Sequence, residues 1–170
     1  MKVSVILADK GSQGRLGTLS LLNAGWKVLF LNPLPPGIAP ITPSFVVAVF
    51  FEVDQDHCNH PIDIVLSLVT EDGHPVQVPH PAGHQDLRIT QTMTVPSPGG
   101  VPIGTPGAGG GLIEIIPGLQ IAEGGYRWEV TIDGKDNPDW AASFRVMRPT
   151  QSSVSLGGPT PSLPSPEATS

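Results

Sequence analysis

The sequence predicts an all-β fold, an immunoglobulin-like or C2-like antiparallel β-sandwich of seven to nine strands. Glycine and proline number 20 each in 170 residues, nearly twice their ordinary combined share of about 12%, which favours many turns. Several segments alternate apolar and polar residues with a period of two, as half-buried strands do. No apolar pattern with the 3.6-residue period of a helix lasts three turns.

The first third of the chain predicts three strands and a connection. Lys2–Ala8 alternates as a first strand, and the polar residues 11–15 follow as a loop. Residues 18–22 and 26–31 are β-prone pieces on either side of Asn-Ala-Gly, a turn or bulge in which Asn23 or Gly25 adopts a positive φ. Residues 32–43 contain five prolines, so we expect an extended connection between two sheets.

The middle of the chain predicts three more strands. Phe45–Val53 is the most hydrophobic run and fits a central strand. In residues 61–70 the isoleucines and leucines at even positions face inward, and Asp72-Gly73 supplies a turn. Residues 87–95 form a half-exposed strand whose outer face is a threonine row, Thr90, Thr92 and Thr94.

The chain then divides into a loop, three strands and a tail. Residues 97–111 are almost all Gly, Pro and small residues, so they predict a flexible loop. Strands follow at 112–116, 124–132 and 140–147, and the Ser/Pro-rich residues 149–170 predict a disordered tail. The sandwich domain is therefore expected over residues 1–148.

One strand gives the clearest structural signal. In GGYRWEVTI the side chains of Tyr126, Trp128, Val130 and Ile132 are two apart and form a single inward row. Trp140 and Phe144 belong to a second inward row on the following strand. We therefore expect these six residues in the core. Tyr126 is expected to act as the corner tyrosine of a Greek-key sandwich, with its hydroxyl bonded to a nearby backbone group.

Charge and cysteine content exclude several classes of protein. A formal net charge of −6 with only nine Lys and Arg lacks the basic patch that nucleic-acid binding requires. Cys58 is the only cysteine, which excludes an intrachain disulfide and a CxxC metal site. The apolar N-terminal run is too short for a signal peptide or a membrane span. We expect a cytoplasmic protein, in a bacterium or, if phage-encoded, in the host or the virion.

No residue pattern predicts catalysis or a cofactor. Asp54, Asp56, His57 and His60 are residue types that ligate metals, but their spacing matches no compact site, and we predict no metal. No GxSxG elbow occurs. The glycine loop lacks the lysine of a phosphate-binding loop. We predict no catalytic residue and no cofactor.

Carbohydrate-binding sandwiches present aromatic rings on a flat surface. Most rings here fall on inward faces, and Trp26, next to Gly25 at a strand start, is the ring expected to be most exposed. Trp26 and the row Thr90, Thr92 and Thr94 are therefore the candidate ligand surface.

Four motifs together resemble a family of small uncharacterised bacterial and actinobacteriophage proteins. They are MKVSVILAD, GTLSLLNAGW, IDIVLSLVTEDG preceded by His60, and GGYRWEVTIDG, which fits GxYxWxVxIDG. The resemblance covers roughly residues 1–148 and implies a β-sandwich module with no assigned activity or cofactor. The glycine-rich residues 97–111 depart from the family pattern.

These observations lead to a prediction of a non-enzymatic interaction module that binds another protein through an edge strand, the threonine row or the glycine loop. Pairing of two copies through an edge strand is a further expectation. The alternatives are an accessory structural protein of an actinobacteriophage virion or tail, which the phage side of the resemblance favours, and a carbohydrate-binding domain. Neither nucleic acid nor membrane is an expected partner.

Overall fold

The computed structural model describes residues 1–14, 18–35 and 37–149. The predicted tail, from residue 150 onward, lies outside the described residues. The described part consists of strands, with a single 3-10 turn at Gln55–His57 and no α-helix. The strands are β1 (Lys2–Ala8), β2 (Lys10–Gln13), β3 (Leu19–Leu22), β4 (Val28–Phe30), β5 (Phe45–Val53), β6 (Pro61–Thr70), β7 (Gln77–His80), β8 (Gly83–Asp86), β9 (Arg88–Thr94), β10 (Gly107–Ile115), β11 (Gly124–Ile132) and β12 (Lys135–Met147).

Two sheets form the sandwich, and the predicted all-β, antiparallel class is confirmed. The larger sheet has the order β4-β12-β11-β6-β9, and the smaller sheet has the order β1-β5-β10. Neighbouring strands are antiparallel throughout, except that β4 runs parallel to β12. The described strands number twelve, more than the seven to nine expected, because the short strands β2, β7 and β8 occupy segments predicted as loops. They form the ribbons β2-β3 and β7-β8.

The inward rows predicted from the period of two form the core. Ile62, Ile64, Leu66 and Leu68 on β6 are all buried, in the same core cluster as Val47 on β5. As predicted, β5 is the central strand of its sheet. Each such aliphatic side chain contributes about 1.5–3 kcal/mol when it leaves water, so these facing rows supply the main driving force for the two sheets to pack.

The glycine-rich segment corrects the prediction of a loop over residues 97–111. Residues 107–111 belong to β10, which pairs with β5 from Gly107 to Ile115. A Cβ on Gly109 would lie 2.9 Å from Val95 and 3.0 Å from the ring of Phe51, so these neighbours would have to move. The glycines are there because the sheets approach too closely for side chains, not because the segment must move.

The outer side of the same strand is covered by the ribbon β2-β3. A Cβ on Gly110 would lie 2.9 Å from Leu19, and one on Gly11 would lie 3.1 Å from Leu112. The polar residues 11–13, predicted as a loop, therefore pair as a strand because their hairpin carries leucines of β3 onto the small sheet. A short strand with few apolar residues gives no period-two signal of its own.

The turns and the proline segment agree with prediction. Asn23 and Gly25 both have positive φ, +50° and +83°, and so do Asp133 and Gly134, +48° and +74°, which makes Asp133-Gly134 a tight hairpin turn between β11 and β12. The proline segment leads from β4 in the larger sheet to β5 in the smaller one, as expected.

The last strand is longer than predicted. β12 begins at Lys135 rather than at residue 140, because pairing starts directly after the turn with Ile132 opposite Lys135. The register then shifts between Glu129 and Thr131, where a large bulge accommodates residues 137–140. The bulge contains Pro138, which lacks the N–H that regular pairing needs and which led the sequence interpretation to start the strand later.

Candidate interaction surface

Three of the four candidate metal ligands come together in the structure, and the fourth does not. Asp54, Asp56 and His57 place one ligand atom each within 4.8 Å of one another, and all three are exposed. His60 is not part of this cluster. His57 Nδ1 lies 2.9 Å from Asp56 Oδ1, and this hydrogen bond holds the pKa of Asp56 below its ordinary value. The N-terminal amine lies 3.7 Å from Asp54. Both carboxylates thus already have polar partners from the chain.

Trp26 does not present a flat ring to solvent. Its side chain is half-buried and meets Phe45 and Phe144 edge-on, with ring centroids 5.6 and 5.9 Å apart. Its indole nitrogen Nε1 is buried. The ring is thus partly exposed, and its contacts with Phe45 and Phe144 attach it to the edge of the core.

The threonine row is exposed as predicted. Thr90, Thr92 and Thr94 all lie on the solvent side of β9. Thr92 Oγ1 donates a 2.7 Å hydrogen bond to Asp63 Oδ1 on the neighbouring strand. The row is polar, and the hydroxyl of one of its three threonines already has a hydrogen-bond partner within the sheet. No large apolar side chain interrupts the row.

The six predicted core residues lie where the sequence places them. Trp128 is fully buried, and the side chains of Tyr126, Val130, Ile132 and Phe144 are buried around it. Trp140 is half-buried and packs against the same core. The hydroxyl of Tyr126 donates a 2.9 Å hydrogen bond to the carbonyl oxygen of Ala122, so the predicted corner tyrosine is confirmed.

The surface that the sequence interpretation missed lies at β4. Leu29 points into the core and is 6% exposed, whereas Val28 and Phe30 are 41% and 54% exposed on the outer face. Phe30 pairs in register with Met147 of β12, which is itself 42% exposed. An apolar patch thus covers this corner of the larger sheet.

The backbone of β4 is open at the same place. The carbonyl oxygen of Lys27 accepts a hydrogen bond from the N–H of Arg145, and the N–H of Leu31 donates one to the carbonyl oxygen of Met147. The backbone N–H and C=O groups of the odd-numbered residues along β4 therefore point toward β12. Alternate residues direct their N–H and C=O groups to opposite sides, and those of Val28 and Phe30 therefore point outward. β4 is the last strand of its sheet among the described residues. We call Val28 and Phe30, with these outward groups, the β4 edge.

A groove with both polar and apolar walls lies beyond the end of β4. Its volume is about 370 Å³, and its walls come from the proline segment and from the residues that follow β12. Leu34 and Ile38 line it and are 36% and 57% exposed. The walls also include Leu31, Pro33, Pro35, Gly37, Pro40, Arg148 and Pro149. We call it the proline groove.

Exposed apolar side chains are concentrated at this corner. The described residues include ten large hydrophobic side chains that are exposed, and five of them, at positions 28, 30, 34, 38 and 147, belong to the β4 edge, its register partner or the proline groove. The sequence contained a signal for this surface: residues 28–31 are apolar at four successive positions, on both faces of a strand, so one face has to remain outside the core.

A second apolar groove lies between the other edges of the two sheets. It has a volume of about 400 Å³ and contains Leu87 and Ile89 on one side and Ile115 and Ile116 on the other. Ile116 is the most exposed of these, at 77%. This groove lies beside β9, at the opposite end of the larger sheet from β4. It therefore provides an apolar control surface for experiments on the β4 edge.

No family model matches this sequence, and the search of the curated proteins returned no match. The resemblance to small bacterial and actinobacteriophage proteins therefore stays a prediction. In the described part of the chain, no helix has the length and apolar character needed to cross a bilayer.

Proposed function

We propose that this chain is a non-enzymatic β-sandwich module that binds another protein, and that the partner docks on the β4 edge. The observation that carries the proposal is the coincidence, at Val28 and Phe30, of outward backbone groups and exposed apolar side chains. An extended segment of a partner would add a strand to the larger sheet there, with backbone hydrogen bonds for affinity and side-chain contacts for specificity.

The chemistry of the β4 edge suits such a partner. Phe30 and Met147 are register neighbours, and aromatic and methionine side chains are enriched in the centres of protein interfaces. Leu34 and Ile38 in the proline groove are further exposed apolar side chains beyond the strand end. A partner with apolar side chains at alternating positions would bury both regions at once.

The other outer edge of the larger sheet is less suited to this role. β9 has the charged Arg88 at its start and the threonine row on its solvent face, and polar or charged side chains are how edge strands usually avoid pairing. β4 has no charged residue within Val28–Phe30, and the exposed Lys27 directly precedes it. Of the three surfaces that the sequence suggests for a partner, the edge strand is therefore the one we propose.

The experiment is a photo-crosslinking scan in the cell that naturally contains the protein. A benzophenone amino acid replaces Phe30 in one variant, and it replaces Ile116 or Thr92 in two controls. We expect one discrete adduct with another protein at position 30 and none at positions 116 and 92. Adducts at position 92 or 116 but not at position 30 would contradict the proposal.

The identity of the adduct also separates the alternatives. A capsid or tail protein crosslinked at position 30 would support the accessory virion role. An adduct between two copies of this chain would support edge-strand pairing within a homo-oligomer instead of binding to a different protein.

A further inference from the structure

We infer that the partner strand at the β4 edge carries an aspartate or glutamate at the end that lies beside Lys27, and that this carboxylate binds between Lys27 and Arg145. An acidic residue at this place rests on the proposed function, because it names the chemistry of the partner that docks on the β4 edge. It adds ionic side-chain contacts to the backbone pairing and the apolar contacts already proposed.

The proline segment limits the partner strand at one end. Beyond Phe30, the N–H of Asn32 already donates a 2.8 Å hydrogen bond to the carbonyl oxygen of Ile41, and these two residues form an antiparallel bridge. The outward side of the chain is therefore occupied at Asn32. A strand that pairs with Phe30 and Val28 has to continue past Val28, toward Lys27.

At the Lys27 end the partner strand reaches the limit of the paired backbone. The chain before Lys27 turns toward the smaller sheet, where the N–H of Gly25 donates a 2.7 Å hydrogen bond to the carbonyl oxygen of Leu7 on β1. A partner residue that lies beyond Val28 therefore contributes mainly through its side chain. The side chains around Lys27 determine which residue type is favourable there.

Basic side chains surround this end. Lys27, Arg127 and Arg145 line a pocket of about 320 Å³. Among the described residues that line the pocket, Glu71 is the acidic one. Arg145 is the register partner of Val28, so its side chain lies beside Val28 on the same face of the sheet. In a chain with a formal net charge of −6, this pocket is a local concentration of positive charge.

The three cations differ in how far their charge is already matched. Arg127 Nε donates a 2.8 Å hydrogen bond to Glu129 Oε1, so this guanidinium has a carboxylate of its own. Arg145 Nη2 lies 3.6 Å from Glu71 Oε2, and the two side chains are 58% and 70% exposed, so this ion pair is loose and open to solvent. Within the described part of the chain, Lys27 has no carboxylate within 4 Å. A partner carboxylate is therefore accommodated best between Lys27 and Arg145.

The same chemistry disfavours the groove beside β9. Its walls include Glu114 and, among the described residues, neither lysine nor arginine. An acidic partner strand is therefore attracted to the β4 edge and repelled from this groove. Charge complementarity of this kind selects the partner and its orientation more than it adds affinity.

Glu71 competes with the partner for Arg145. Its carboxylate already pairs with Arg145, and it repels a second carboxylate that enters the same pocket. Removal of the charge of Glu71 should therefore strengthen partner binding, whereas reversal of the charge of Lys27 should weaken it. A partner held only by backbone and apolar contacts would respond to neither change.

The test measures the affinity of the partner identified by the crosslink at position 30. Isothermal titration calorimetry at about 0.15 M salt compares the complete chain with Lys27→Glu, Glu71→Gln and the control Lys135→Glu. We expect a Kd at least about fivefold weaker for Lys27→Glu and at least about twofold tighter for Glu71→Gln. Lys135→Glu makes the same change of charge at the far end of β12, beyond the Debye length of about 8 Å, and its Kd should stay within about twofold.

A Kd for Lys27→Glu within about twofold of the unmodified protein overturns the inference, and so does a Kd that Glu71→Gln leaves unchanged or weakens. An effect of Lys27→Glu that persists undiminished at about 1 M salt, where the Debye length is about 3 Å, also overturns it, because the cause would then be steric. These results leave the crosslink at position 30 in place, so the proposed function survives them. Absence of an adduct with a different protein at position 30 rejects the proposed function first, and the acidic partner with it.

Discussion

The hydroxyl of Tyr126 donates a 2.9 Å hydrogen bond to the carbonyl oxygen of Ala122, four residues earlier in the chain. This bond anchors the connection before β11 to the start of that strand. Tyr126→Phe removes the donor and keeps the ring stacked near Phe144. We expect a loss of about 0.5–1.5 kcal/mol in the free energy of unfolding, measured by urea denaturation with circular dichroism. An unchanged free energy would show that the bond has no net stabilising effect.

The same residue predicts a dependence of stability on alkaline pH. Burial raises the pKa of Tyr126 above its ordinary value, so the folded state keeps the proton at a pH where the unfolded chain has lost it. The stabilising contribution is therefore complete below about pH 10 and decreases as the pH rises through the folded pKa.

This titration can be followed directly, because Tyr126 is the only tyrosine in the chain. Tyrosinate absorbance at 295 nm should rise at a higher pH in the folded protein than in the protein unfolded in urea. In Tyr126→Phe the alkaline loss of stability should be smaller than in the unmodified protein. Titration of the folded protein at the same pH as the unfolded protein would contradict the burial of the hydroxyl.

Trp128 is the largest fully buried side chain, and its removal tests the core. Trp128→Ala should lower the free energy of unfolding by about 3–5 kcal/mol, because it leaves a cavity between the sheets. The half-buried Trp140 provides the matched control, and Trp140→Ala should cost clearly less. Equal losses in the two variants would show that Trp128 is not at the centre of the core.

The glycines of β10 should be intolerant of a methyl group. Gly109→Ala places a Cβ 2.9 Å from Val95 and 3.0 Å from Phe51, and overpacking of this kind costs about 1–3 kcal/mol. The control is Gly99→Ala in the preceding connection, where a Cβ has no neighbour within 4 Å. Gly99→Ala should leave the melting temperature unchanged or slightly raised. A Gly109→Ala protein as stable as the unmodified one would restore the interpretation of this segment as a loop.

Periodicity predicted the strands in which one face is buried and the other is not. Ile62 to Leu68 and Tyr126 to Ile132 alternate so regularly that only one assignment of faces places their apolar residues in the core. The turns were predictable for a local reason as well, because Asn23 and Asp133 tolerate positive φ better than most residues do.

The features that the sequence did not predict depend on contacts between residues far apart in the chain. The glycines at positions 107–111 have the composition of a loop, and only the positions of Val95 and Phe51 reveal why side chains are excluded there. The sequence predicts a partly exposed Trp26 because it follows a turn, but its edge-on contacts with Phe45 and Phe144 depend on residues distant in sequence. The β4 edge was missed because a strand that is apolar on both faces is usually central in its sheet. The alternation of apolar and polar residues along a strand does not show where that strand lies in the strand order.

Binding of a partner at the β4 edge is tested most directly by the affinity of the crosslinked partner for two charge variants. Isothermal titration calorimetry compares the unmodified protein with Phe30→Glu and with the control Thr92→Glu, after circular dichroism has shown that both variants are folded. Loss of a central anchor costs about 2 kcal/mol or more, so we predict at least about a 30-fold weaker Kd for Phe30→Glu and a Kd within about twofold for Thr92→Glu. An unchanged Kd for Phe30→Glu together with a weakened one for Thr92→Glu would contradict the account.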